Sequence, residues 1–237
     1  MKFAIIAAGE GSRLRAEGVE ILKPLVRING IPLIDRILAA AVRNGAESIH
    51  CIINEQSPQL HDYLEQKDLG IPLNILVRST PSSMHSLFAL APMLRDEQFC
   101  LSTVDAVFLD QEFGRFLSYA VQRSNIDGIL AVTRFIDDEK PLCAIMGRSN
   151  RILSFSNDSD GTLSATGGLY VFSPRIFDEM QNALDAGVTR LRNFLRLLLE
   201  KGHMLQGFPF QKIIDVDHSH DIKTAKQFLQ EHMNESL

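Results

Sequence analysis

Cysteine is scarce in this 237-residue chain: Cys51, Cys100 and Cys143 stand far apart, each in an apolar stretch. An odd, scattered set excludes a disulfide framework or a zinc-ligand spacing and reads as reduced core thiols of a cytoplasmic protein. A basic block is also lacking. With a net charge of −5 at pH 7, a cationic face for nucleic acid is not expected. Long apolar runs are missing too. The N-terminal run Phe3–Ala8 is too short for a secretion signal, and no stretch could span a bilayer, so no membrane partner is expected. Repeats, linkers and low-complexity segments are absent. What remains is a chain 45% hydrophobic and long enough to bury one full α/β core.

The first 25 residues are the most informative. Phe3-Ala4-Ile5-Ile6-Ala7-Ala8, uncharged, reads as a buried strand and runs directly into Gly9-Glu10-Gly11-Ser12-Arg13-Leu14. Two glycines at a strand exit let the backbone fold closely with its amides inward, which makes an anion cradle. Arg13, and Lys23 after nine intervening residues, add two cations. Together they suit a polyphosphate. The same residues also suit an ordinary strand-to-helix turn with two surface cations. A dinucleotide fingerprint would need a third glycine where Leu14 stands, and a P-loop would need Lys then Ser or Thr directly after the last glycine, where Ser12 and Arg13 follow.

Along the chain, strand and helix patterns alternate. Strands are expected at 3–8, 48–53, 73–77, 99–103 and 128–133, and helices at 32–42, from Ser57-Pro58, at 84–94 and at 112–122. Such alternation predicts a mostly parallel sheet covered by helices on both sides. Ser57 is expected as an N-cap with proline at the first helical position. Past residue 135 the rhythm changes to short strands at 142–146, 152–155 and 168–172, with a turn-rich connection at 157–161. A helix capped by Ser173-Pro174 follows, with Ile176, Phe177 and Met180 buried, then a leucine-rich helix at about 189–201. A strand at 213–217 and a last helix capped by Ser219 complete the chain.

Three aspartates suggest chemistry. Asp105 follows the strand at 99–103, where ligands of open parallel sheets bind, and a carboxylate there can hold Mg²⁺ against a phosphate oxygen. Such an aspartate also serves as a turn or cap residue. Asp215 and Asp217 would share one face of a strand, where paired carboxylates repel unless a cation lies between them. Asp221 would favour the following helix N-terminus.

The segment Ala7-Ala8-Gly9-Glu10-Gly11-Ser12-Arg13-Leu14, with Lys23-Pro24-Leu25 and Ile28-Asn29-Gly30-Ile31-Pro32-Leu33-Ile34, resembles the N-terminal signature of the nucleotidyltransferases, and the resemblance runs from residue 2 to about 230. It implies a three-layer α/β/α Rossmann-like fold with a mostly parallel mixed sheet and a small acceptor-side β insert. It further implies one domain over residues 1–237, with a nucleotide-binding half to about 134 and an acceptor-binding half beyond. The implied activity is Mg²⁺-dependent transfer from a nucleoside triphosphate to a sugar 1-phosphate, with phosphocholine or another small phosphomonoester as the alternative acceptor and a non-catalytic nucleotide-binding module as the alternative to an enzyme. By position, the resemblance makes Arg13, Lys23 and Asp105 catalytic and Asp105, Asp217 and Asp215 the metal set. Ala7, Ala8, Gly9, Gly11, Ser12, Arg13, Ser82 and Ser83 would hold the nucleotide, and Thr166, Gly167 and Gly168 the acceptor. Oligomeric state is not readable.

Two departures stand out. Thr80-Pro81-Ser82-Ser83-Met84-His85-Ser86-Leu87 lacks the Gly-Thr-Ala of the hexose enzymes and is closer to the phosphocholine cytidylyltransferase branch. Many sugar enzymes carry Glu-Lys where this chain reads Ser154-Phe155-Ser156-Asn157, which leaves Lys140 or Lys212 as substitutes.

Overall fold

The structure is a computed structural model describing residues 1–137, 141–158 and 163–234. Lys140 and the end of the connection at 157–161 lie outside the described residues.

The strands are β1 (Lys2–Ala7), β2 (Arg27–Ile28), β3 (Ile31–Pro32), β4 (Ser48–Ile53), β5 (Leu73–Val77), β6 (Phe99–Thr103), β7 (Ala106–Val107), β8 (Gly128–Thr133), β9 (Cys143–Met146), β10 (Ile152–Ser156), β11 (Ser164–Phe172), β12 (Leu205–Phe210) and β13 (Ile214–Asp215). The helices are α1 (Ser12–Ala16), α2 (Leu33–Arg43), α3 (Pro58–Glu65), α4 (Ser83–Leu94), α5 (Asp110–Val121), α6 (Met180–Asp185), α7 (Leu191–Glu200) and α8 (Ser219–Asn234).

Continuous apolar runs in β1, β4, β6 and β8 require burial on both faces, and a parallel sheet with helices on each side provides it. Period-two alternation divides the strand between two cores. Phe3, Ile5 and Ala7 of β1 pack with Ile34, Ile37 and Leu38 of α2 and Phe113 and Phe116 of α5. Ala4, Ile6 and Ala8 pack with Met84, Leu87 and Leu90 of α4 and Phe194 and Leu198 of α7. A third cluster joins Leu14 of α1 and Val26 to Val107, Ile214, Val216, Ala225 and Phe228. It fastens the N-terminal loop to the C-terminal helix.

The main sheet runs β5-β4-β1-β6-β11-β8-β12. Strands β5, β4, β1 and β6 are parallel. β11 is antiparallel to β6 and β8, and β12 runs parallel to β8. The β9–β10 hairpin joins the start of β11, where the small acceptor-side insert is expected.

Four expectations need correction. β12 was not anticipated, because Gly207 and Pro209 interrupt its apolar pattern. Pro209 is tolerated at the outer edge of this sheet, where no ladder needs its amide. The late strand is shorter than 213–217: only Ile214–Asp215 pair, with β7, and the backbone then turns, Asp217 N bonding Asp215 O at 3.1 Å. Ser57 holds the N-cap position of α3 without a side-chain capping bond. Ser173 does accept the Arg175 amide, but a 3-10 turn, Pro174–Glu179, precedes α6, and Met180 is only half-buried.

All three cysteines are buried thiols outside any disulfide. Among the described residues no helix is long and apolar enough to cross a membrane.

Candidate active site

β1 ends with Ala7 and Ala8 buried, and the chain emerges at Gly9 and Glu10 into solvent. Gly11 takes φ +61°, and a Cβ there would lie 2.9 Å from Lys23 Cβ. Glycine is therefore needed for the turn and for the close approach of Lys23. α1 places Ser12 and Arg13 at its solvent-exposed start, where the first amides of a helix have no intrahelical partner. Leu14, 1% exposed, is its anchor in the core.

Lys23 opens a 3-10 turn continued by Pro24 and Leu25, and its side chain is only 9% exposed. A buried ammonium needs counter-charge. Its Nζ donates to Asp105 Oδ2 at 2.6 Å and to Asp217 Oδ1 at 2.5 Å. Arg13 Nη1 donates to the other Asp217 oxygen, Oδ2, at 2.6 Å. Four residues spread over more than 200 positions thus form one ion cluster.

The short β7–β13 ladder brings the acids together. Asp215 pairs with Ala106, and Val216 N bonds Asp105 O at 3.1 Å, so residues 105 and 217 leave that ladder side by side. Asp221, 2% exposed, fixes the second acid: its Oδ2 accepts the amides of Asp217 at 2.9 Å and His218 at 2.7 Å. This is the reciprocal half of a capping box. Capping of α8 therefore falls to Asp221 rather than to Ser219, which lies inside the helix. Asp215 and Asp217 line one cleft but do not present the simple same-face pair expected of a strand. Asp217 meets Lys23 and Arg13, while Asp215 lies near Tyr170.

Electrostatics keep Lys23 and Asp105 charged. Burial would lower the Lys23 pKa, but Asp105 and Asp217 outweigh it and hold the ammonium above its ordinary value. For Asp105, burial would raise the carboxyl, and Lys23, with hydrogen bonds from Lys23 and Thr103, brings it below the usual range. Tyr170, buried beneath the cleft, is raised by burial first and then by Asp215. None of these groups is poised to exchange a proton near neutrality.

Beside the cluster opens a cleft, continuous with solvent, lined by Arg13, Thr166, Gly167, Asp215, Asp217 and Phe135 among others. Gly167 and Gly168 form the irregularity at which β11 shifts register against β8. A Cβ on Gly167 would meet Ile213 at 2.5 Å. Gly168, at φ +71°, turns onto β6, where a Cβ would lie 2.3 Å from Thr103 Oγ1. Of the three expected acceptor residues, Thr166 and Gly167 face the cleft and Gly168 is a packing residue behind it. The Lys212 ammonium lies 3.9 Å from the centre of the Phe135 ring, stacked on the cleft wall.

Ser82 and Ser83 begin α4, away from the ion cluster. Ser82 occupies the N-cap position, yet its hydroxyl meets His85 Nδ1 at 2.9 Å and makes no capping bond. Ser79, just before this segment, connects back to the β1 exit through Asn54, which the sequence reading missed. Asn54 Nδ2 donates to Ala8 O at 3.4 Å, and its Oδ1 accepts from Ser79 Oγ at 3.1 Å and Gln56 N at 2.8 Å. The available signal was a carboxamide directly after the apolar run of β4, level with Ala8 on the neighbouring parallel strand.

Residues 2–232 match the sequence profile of a family described as nucleotidyl transferase. The chain is 27% identical over 189 residues to mannose-1-phosphate guanyltransferase beta-B of Xenopus laevis, covering 76% of this chain and 52% of that protein. It is 22% identical over 240 residues to the UTP–glucose-1-phosphate uridylyltransferase AglF of Haloferax volcanii, covering 98% and 97%. The solved structure of the inositol-1-phosphate CTP transferase from T. maritima shares the fold, with a TM-score of 0.78 at 20% identity over 95% of this chain and 96% of that one. The chain thus spans about half the length of the guanyltransferases it matches.

Proposed function

The chain belongs to the nucleotidyl transferase family, and on that premise we propose that it joins a nucleoside triphosphate to a sugar 1-phosphate, releasing pyrophosphate. The observation that carries the reading is the single ammonium of Lys23 shared by Asp105 and Asp217, with Arg13 on the second oxygen of Asp217.

An acceptor phosphate oxygen attacks the α-phosphorus, forming a new P–O bond. The bond from the α-phosphorus to the α–β bridging oxygen breaks, and pyrophosphate leaves with its electron pair. Two anions must approach, so charge compensation and alignment dominate the barrier. Lys23 stays protonated and serves as a fixed cation, not as a base. The acceptor phosphate, whose second pKa is about 6, is already ionised and needs no base. Arg13 and the amides following Gly9 meet the triphosphate and the departing pyrophosphate. Ala7 and Ala8, with the segment at Ser82 and Ser83, flank the base, and Thr166 and Gly167 hold the acceptor.

The donor set suits Mg²⁺: two carboxylate oxygens converge on one cation, and this hard ion favours one or two carboxylates plus phosphate oxygens. Asp105 and Asp217 would hold it, with Asp215 close by, and when bound it would reduce the charge on the reacting phosphates. Names of relatives that act on mannose 1-phosphate and glucose 1-phosphate support a sugar phosphate as acceptor. A second reading, cytidylyl transfer to another small phosphomonoester, draws on Ser154–Asn157, which offers no lysine. Asn157 there is engaged by Arg196 at 2.6 Å.

The test is a matrix of common nucleoside triphosphates against phosphomonoesters, scored by Mg²⁺-dependent pyrophosphate. Asp105→Asn should keep the fold and lose at least about 10²-fold in turnover. Full activity in that variant ends the metal assignment, and no product from any pair ends the enzymatic reading.

A further inference from the structure

Glu17 has no part in the chemistry above, and its placement is unusual. It is the C-cap residue of α1: Gly18, at φ +87°, bonds Arg15 O at 3.1 Å, and Val19 N bonds Leu14 O at 2.9 Å. That is a Schellman ending. A carboxylate is disfavoured at a helix C-terminus by the backbone dipole, so α1 itself gains nothing from an acid there. The carboxylate reaches across the site instead. Oε1 meets His218 Nδ1 at 2.5 Å, and Oε2 accepts the amide of Ser219, the first residue of α8, at 2.7 Å. At that helix N-terminus negative charge is favoured.

Arg13 and Glu17 are four residues apart and share a face of α1. Both grip the same three-residue segment: Arg13 holds Asp217, and Glu17 holds His218 and Ser219. α1 has only five residues, far below the roughly 12–15 at which an isolated helix becomes marginally stable. Its orientation must come from tertiary contacts. Leu14 anchors the buried side, and the two side-chain grips anchor the side facing the site. Arg13 meets Asp217 through Nη1, and a guanidinium has further N–H donors with which to meet a triphosphate, so its orientation matters to both.

We infer that Glu17 is a positioning residue that clasps α1 to the start of α8, keeping Arg13 over the site where it would meet the triphosphate. The inference rests on the nucleotidyl-transfer reading. Glu17 touches no reacting atom; it acts through Arg13. The carboxylate is kept ionised, its pKa pulled down to about 2, by the His218 hydrogen bond first and then by the Ser219 amide.

The experiment uses Glu17→Gln in the full chain with inorganic tripolyphosphate and Mg²⁺ as the probe. Losing a charged hydrogen bond should weaken tripolyphosphate binding about tenfold, and hydrogen exchange over residues 9–19 should quicken by a similar factor. In turnover, the triphosphate KM should rise about tenfold while the acceptor KM holds and kcat stays within about threefold. His218→Asn should act in the same direction, less strongly, and the double variant should fall short of the product of the two effects. A residue that only caps α8 would lower the unfolding midpoint and leave tripolyphosphate affinity unmoved. If wild type binds tripolyphosphate and Glu17→Gln binds it equally well, the clasp is refuted and the enzymatic reading stands. If wild type binds neither tripolyphosphate nor any nucleoside triphosphate, both fall together.

Discussion

Replacing Lys23 by methionine keeps the length of the side chain and removes its charge, leaving Asp105 and Asp217 facing each other across the position Nζ had occupied. Both carboxylate oxygens lie within 2.6 Å of that one nitrogen, so they are close neighbours. Like charges roughly 4 Å apart repel by about 4 kcal/mol at an effective dielectric constant of about 20. Breaking a buried pair typically costs about 3–5 kcal/mol. Asp217 is 34% exposed, and solvent screens part of the repulsion. The expected loss is therefore about 2–4 kcal/mol. The chain has no tryptophan, so urea unfolding followed by far-ultraviolet circular dichroism is the suitable assay. Mg²⁺ should restore more stability to Lys23→Met than to wild type, since ligand at about 100 times its Kd returns about 2.7 kcal/mol. The pH dependence should invert. In wild type the Asp105 pKa is depressed, so its contribution is present above the unfolded value of about 3.9 and is lost as pH falls through the folded value. In the variant, burial dominates and raises the Asp105 pKa. The native state then binds the extra proton, and stability falls as pH rises through that raised value. A loss under about 0.5 kcal/mol, or equal Mg²⁺ responses in the two proteins, would refute the shared counter-charge.

Two further outcomes follow from packing. Gly168→Ala should cost about 3 kcal/mol, because φ +71° is strained for alanine and its Cβ would lie 2.3 Å from Thr103 Oγ1; an unfolding midpoint like that of wild type would show that β11 can shift. Cys51, Cys100 and Cys143 are wholly buried, and burial pushes the Cys51 thiol up to about 12 and Cys100 higher still. An aromatic disulfide reagent at pH 8 should therefore release no colour from native protein and three equivalents after denaturation, and rapid release from the native state would contradict this core.

Much of this molecule is set by local pattern. Apolar runs too continuous for a half-exposed strand specified β1, β4, β6 and β8, and the helix-period faces of α2 and α4 specified what covers them. The glycine turn with Arg13 and Lys23 was legible as a cationic strand exit, although an ordinary strand-to-helix turn fits the same residues. The late acids were legible as residue types, but their arrangement was not. Alternation suggested Asp215 and Asp217 as a strand pair, whereas the strand stops at Asp215 and a turn directs Asp217 toward Lys23. β12 escaped notice because Gly207 and Pro209 break its period, and only the edge of a sheet already formed makes them acceptable there. Asp221 was legible as an acid at the start of the last helix, where it caps amides three and four residues back, whereas Asn54 and Glu17 were passed over because each works on a backbone or ring far away in the sequence. Propensity and periodicity act over a few residues, so they determined most of the strands and helices and the glycine turn after β1. Burial and charge pairing act between segments 82 to 204 residues apart, so only the folded chain could decide which acids meet Lys23 and what holds Arg13 over them.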